Sequence, residues 1–194
     1  MKLIDLSRYG PVHRFADYHV YKTLAVIADG RRRGRKQLAE TIGVGEGSMR
    51  TILEYLRDHD LVEIKQTGVT ISKKGLDFLN GFPIQVGLVT KSDSSIGQTA
   101  VAVLVRSMAD KIKIGVEQRD AAVKAGAEGA TTIVVKGGEL WILPDYNLDV
   151  HKKAFSAELR SMFQVKDGDV IIIGTGQNYR QAEDGALSAA FDLI

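Results

Sequence analysis

Five cations crowd into six positions: Arg31, Arg32, Arg33, Arg35 and Lys36. Like charges so close repel one another, and a polyanion relieves that repulsion. Contact with a phosphate backbone also releases condensed counterions, so such a cluster favours binding that weakens with salt. A second group follows. Glu46, Gly47, Ser48, Arg50, Thr51 and Tyr55 share one side of a stretch whose other side is apolar. Met49, Ile52, Leu53 and Leu56 on that other side repeat at i, i+3, i+4 and i+7, the spacing of an amphipathic helix. Short hydroxyls and an arginine near a helix start suit the reading of base edges in a groove. Ser48, Arg50 and Thr51 are the candidate base readers, with Glu46 beside them; Arg50 matches the paired acceptors of guanine. Lys65, Lys73 and Lys74 add cations for phosphates, contacts that position a protein without carrying sequence information.

Other chemistry is sparse. Cysteine is absent, which excludes disulfides, thiolate metal sites and a cysteine nucleophile. His13, His19, His59 and His151 stand apart with no ligand spacing, so no metal is expected. Asp120 and Lys124 are an i,i+4 pair that a surface salt bridge explains, and no catalytic residues are assigned. Gly174-Thr175-Gly176 follows an apolar strand and precedes a helix, a context that can hold an anion. Tyr179 stands where a dinucleotide fingerprint needs its third glycine, so a plain strand-to-helix turn is the favoured reading and no cofactor is expected. Thr175 and Gly176, with Lys91, Ser92 and Ser94 of a polar loop over 91–98, are the candidate contacts for a small ligand.

The polar helix needs partners to hold it. Upstream, Tyr18 to Ala28 and Lys36 to Ile42 read as helices that turn Val20, Leu24, Ile27, Leu38 and Ile42 inward. Gly43-Val44-Gly45 forms the turn between the second and third helices. Downstream, Leu61–Lys65 and Val69–Ser72 flank Gln66-Thr67-Gly68 as a hairpin. Ser72 caps a last helix, Lys73 to Leu79, expected to bury Leu76 and Leu79. Gly81-Phe82-Pro83 then marks a boundary between residues 1–82 and residues 83–194. The first segment carries 14 Lys+Arg against 10 Asp+Glu, a net +4; the second carries 12 against 14, a net −2. That division suits a nucleic-acid module joined to something else.

In the second segment, Ile84 to Thr90 and Asp169 to Ile173 read as strands. Thr131–Val135 and Glu139–Leu143 form a hairpin about Lys136-Gly137-Gly138. Thr99 to Arg106 places valines at period two and reads as a strand, with a helix as the alternative. Gly115 to Ala125, His151 to Phe163 and Tyr179 to Leu193 read as helices. The expected fold class is α+β: an N-terminal winged helix-turn-helix followed by a two-layer α/β sandwich built from β-hairpins and helices.

The run RKQLAETIGVGEGSMRTILEYLRDHDLVEI, followed by TISKKGLDFL, resembles the winged-helix DNA-binding domains of prokaryotic transcription regulators. With GVEQRDAAVKAGAEGATTIVVKGGELWI, the whole chain resembles an uncharacterised family of archaeal winged-helix proteins with a C-terminal domain of unknown role. That half is also loosely similar to small α+β domains appended to some tRNA-charging enzymes. The helix order and the basic loop point to a regulator of double-stranded DNA, expected as a homodimer, whose second domain pairs subunits, senses a small-molecule effector, or both. An enzyme with a regulatory winged helix and a protein-binding scaffold remain as alternatives. Met1–Asp5 is too short and too soon charged for a secretory signal, and no apolar run nears the ~18 residues that span a bilayer. A cytoplasmic location without membrane contact is therefore expected.

Overall fold

Val20, Leu24 and Ile27 lie on one face of α1 (Asp17–Ile27) and are fully buried. They meet Leu38, Ala39 and Ile42 of α2 (Arg35–Ile42) and Met49, Ile52, Leu53 and Leu56 of α3 (Glu46–Asp58), all buried. Each such side chain removed from water stabilises the unit by about 1.5–3 kcal/mol, so the apolar stripe dictates how α3 is rolled. Gly43 ends α2 at φ +85°, a left-handed conformation that closes its last turn through bonds to the Ala39 carbonyl. Only Val44 and Gly45 then separate α2's cap from α3.

The computed structural model describes residues 4–9, 14–90 and 99–194. They form two compact units, Met1–Phe82 and Pro83–Ile194. In the first unit, β1 (Val62–Lys65) and β2 (Gly68–Ile71) pair antiparallel in the register Val62↔Ile71 and Lys65↔Gly68, which leaves a two-residue turn. Arg33 adds a one-residue bridge to Val69 with both backbone bonds formed, at 3.0 and 2.9 Å. Ser72 caps α4 (Lys73–Asn80) by accepting from the Gly75 amide at 2.9 Å. Gly75 is the buried residue of α4, and a Cβ there would overlap the Leu61 carbonyl. Leu76, expected inside, is 38% exposed, and Leu79 is half-buried.

The second unit is built on an antiparallel six-stranded sheet in the order β3-β4-β8-β5-β6-β7. Its strands are β3 (Ile84–Val89), β4 (Thr99–Val105), β5 (Gly129–Lys136), β6 (Glu139–Ile142), β7 (Tyr146–Asn147) and β8 (Val170–Gly176). Thr99–Val105 is thus a strand, and the helical alternative falls. β4 and β8 sit centrally, and nearly every residue of both is buried because both faces are covered.

On one face lie α5 (Val116–Lys124) and α8 (Tyr179–Phe191). On the other, Leu148 of α6 (Leu148–His151) and Leu159 of α7 (Lys153–Met162), with Phe163, pack on Leu104, Ile133, Ile171 and Ile173. The expected two-layer sandwich is therefore three layers. The expected single helix over 151–163 begins earlier and breaks at Lys152, whose φ of −138° and ψ of 56° are not helical. Asp169, 1% exposed, fastens this unit: it accepts from Arg106 at 2.6 Å, from the Ser107 amide at 3.1 Å and from the Lys166 amide at 2.9 Å. Among the described residues no helix is long and apolar enough to cross a membrane.

Candidate nucleic-acid interface

The stripe that buries Met49, Ile52, Leu53 and Leu56 turns Glu46, Gly47, Arg50 and Arg57 to solvent, with Glu54 between them half-buried. Arg50, Glu54 and Arg57 run down this outer face at successive turns. Facing them across an open cleft of about 510 Å³ is the β1–β2 hairpin, which contributes Ile64, Lys65 and its Gln66-Thr67 turn. Arg35 closes one side. Four cations, Arg35, Arg50, Arg57 and Lys65, therefore line the cleft against one carboxylate, Glu54. At the opposite flank of α3, Gly45, Gly47, Ser48 and Thr51 border a second cleft of about 560 Å³ with Tyr9, Arg14 and Phe15 of the N-terminal segment. Among the described residues no side chain caps α3: its N-cap is Gly45, which leaves the first-turn amides without a side-chain acceptor there.

The cations differ in how far neighbouring acids already hold them. Arg33 is committed. Its two terminal nitrogens grip both oxygens of Asp29 at 2.7 and 2.8 Å, and its side chain is only 18% exposed. That grip holds the Asp29 carboxyl well below the usual carboxylate range. Arg31 lies 3.8 Å from the same carboxylate, and Arg35 lies 3.8 Å from Glu46. Arg50 bonds Glu54 through Nε at 3.1 Å, while Arg57 is held by Asp58 through Nε and a terminal nitrogen. Lys65 sits 3.4 Å from Glu63, and Lys74 sits 3.2 Å from Asp60. Arg32, Lys36 and Lys73 form no ion pair among the described residues. Surface pairs of this kind are worth about 0–1 kcal/mol each, so a phosphate can displace them cheaply.

Arg35, Arg50 and Lys65 are thus brought together at one cleft, and Ser48 and Thr51 at its neighbour. Arg33 serves the fold, holding the 29–33 loop against the hairpin. Lys73 and Lys74 open α4 and line neither cleft. Tyr55, expected on the polar face, is 3% exposed. The N-terminal segment covers it: Tyr9 stacks edge-on at 5.7 Å, and Asp5 hydrogen-bonds the phenol through its backbone. Burial, the larger influence, raises the pKa of that phenol. Arg57 and Glu54 were not among the expected residues. Their helical spacing from Arg50 was the signal available.

In the second unit, Gly174, Thr175 and Gly176 continue β8 instead of turning. Thr175 is buried and donates its hydroxyl to the Gly129 carbonyl at 3.2 Å. A Cβ at Gly174 would overlap the Ala182 carbonyl, so the glycines let α8 lie close on the sheet. The expected ligand contacts at Thr175 and Gly176 are therefore taken up by packing. Lys91, Ser92 and Ser94 lie outside the described residues.

A family model described as a domain of unknown function, DUF4443, matches residues 96–193, half of the chain. The chain belongs to that family. A second model, the N-terminal domain of PH0730-like proteins, matches residues 23–77, from within α1 to within α4. Among solved structures, the chain is similar to the hypothetical protein PH0730 from Pyrococcus horikoshii OT3. The two are 28% identical over 90% of this chain and 91% of that one, with a TM-score of 0.70. No curated protein matches the chain.

Proposed function

We propose that the first unit is a winged helix-turn-helix that binds double-stranded DNA, and that the chain is a transcription regulator. In this reading α3 is the recognition helix, entering the major groove with Arg50 toward the bases, and the β1–β2 hairpin is the wing. The observation that carries the reading is the cleft between α3 and the hairpin, where Arg35, Arg50, Arg57 and Lys65 converge on one open surface. Arg32 and Lys36, which form no ion pair among the described residues, supply further charge for phosphates. The free amides at the start of α3, near Ser48, suit a backbone phosphate as well.

The same reading makes the chain a homodimer, with pairing assigned to the second unit. What supports this is β3, an edge strand that ends the sheet order and leaves Leu88 51% exposed. The outer edge of such a strand carries backbone donors and acceptors that a strand of a second copy can pair with. Two recognition helices spaced by about 34 Å would then fit successive major grooves.

An electrophoretic shift with the full chain tests the reading. Duplex DNA should be retarded at low salt and released as salt rises. Arg50→Ala combined with Arg32→Ala should abolish the shift. Retention that neither salt nor the double variant changes would reject it, and light scattering that finds only monomers would reject the pairing.

A further inference from the structure

Of the three arginines Arg33, Arg50 and Arg57, each held by a carboxylate through hydrogen bonds, one keeps both terminal nitrogens free. Arg33 spends both terminal nitrogens on Asp29, and Arg57 spends Nε and one terminal nitrogen on Asp58. Arg50 is bonded through Nε alone, by Oε1 of Glu54 one turn further along α3 at 3.1 Å. Its two terminal nitrogens make no hydrogen bond among the described residues, and its side chain is 70% exposed. Such an exposed i,i+4 pair adds little to helix stability. What it does do is narrow the rotamers open to a long side chain. The two terminal nitrogens of the planar guanidinium stay free on a largely exposed side chain.

We infer that Glu54 is a positioning residue for Arg50, and that the pair reads a guanine. The inference rests on the duplex-DNA reading of the first unit. A fork of donors matches the O6 and N7 acceptors that guanine shows in the major groove, whereas adenine places an amino donor where O6 would be. Holding the fork before the encounter lowers the entropy lost on contact. A carboxylate in a DNA-facing cleft otherwise opposes phosphate binding, so Glu54 serves selectivity at the expense of general affinity.

The test selects bound sequences from a pool of random duplexes with the full chain, then measures affinity for the selected site and for its single-base variants. Wild type should prefer guanine at one position by about ten- to a hundredfold. Arg50→Lys, which keeps the charge and loses the fork, should erase that preference. Glu54→Ala should lower it about two- to threefold while binding to unrelated duplexes stays level or tightens. Glu54→Gln, which retains an acceptor oxygen, should restore most of it. If Glu54→Ala strengthens binding to every sequence alike and leaves the guanine preference intact, Glu54 is only a repulsive charge and the inference fails. Loss of preference at a different position, with guanine retained, would make Glu54 itself the reader and equally overturn it. If the wild type binds no duplex at all at low salt, the duplex-DNA reading falls, and this inference with it.

Discussion

Arg32 and Lys36 offer the cleanest test of the basic segment over 31–36, because neither is held by a carboxylate among the described residues. Their charge is free for a phosphate, and neither packs in the core. Each phosphate contact contributes roughly −0.9 to the slope of log affinity against log salt. Replacing both by alanine should therefore flatten the slope by about 1.8. Extrapolated from a common value near 1 M, that is about 60-fold weaker binding at about 100 mM salt, or about 2.4 kcal/mol. The assay is fluorescence anisotropy of a duplex of about 30 base pairs titrated between about 50 and 200 mM salt, the range in which such slopes are read. Arg33→Ala is the contrast. Its guanidinium is clamped by Asp29, so its loss should lower thermal stability and leave the slope nearly unchanged. A double Arg32/Lys36 variant with the wild-type slope, or an Arg33 variant that loses slope without losing stability, would refute the division of these cations into free and committed.

Three further outcomes follow from the packing. Gly75→Ala drives a methyl group into the Leu61 carbonyl, and the overpacking should cost about 1–3 kcal/mol in urea unfolding; an unchanged midpoint would mean α4 does not lie against the Leu61 carbonyl as described. Asp169→Ala leaves Arg106 without its carboxylate, with only the Gln164 carbonyl to accept from it, and two backbone amides without their acceptor, and should cost about 3 kcal/mol; a loss under 1 kcal/mol would show the cluster is not tightly formed. Burial lowers the His19 imidazole to about 4, outweighing its bond to Ala16, while Lys22 pushes in the same direction. The unfolded chain therefore takes up a proton near pH 6.5 that the folded chain refuses until about 4. Stability should be full above pH 6.5 and fall by about 2 kcal/mol on descending to about 4, allowing for the partly exposed ring. His19→Gln should remove that fraction of the pH dependence in chemical unfolding; a variant with the wild-type profile would contradict it.

Local rules made much of the first unit legible. The period of Met49, Ile52, Leu53 and Leu56 sets the roll of α3, and Gly43 and Ser72 are placed where helix ends require them. Tyr55 was misplaced because the segment that covers it is distant in sequence, and helical spacing reports only which face a residue is on. Leu76 fails for a related reason: the close approach of α4 is made by Gly75, so the neighbouring leucine stays partly out. In the second unit, glycine at 174–176 has the look of a turn in sequence, whereas in the fold it is a small residue under a helix. The apolar stripe of Phe155, Leu159 and Met162 was visible, but no local pattern says which face of a sheet a helix covers. At the candidate site, the cations were legible as a cluster. Which of them are spent on Asp29, Glu54 and Asp58 depends on side-chain geometry that composition does not carry.

The most direct measurement is backbone amide NMR of the full chain titrated with a duplex at low salt. Shifts should concentrate in residues 31–36, along the exposed face of α3 at Glu46, Gly47, Arg50, Glu54 and Arg57, and in the hairpin at 64–68, and should fade as salt is added. An absence of shifts in those segments at a DNA excess, or shifts confined to residues 83–194, would contradict the assignment of α3 and the hairpin as the DNA-binding surface.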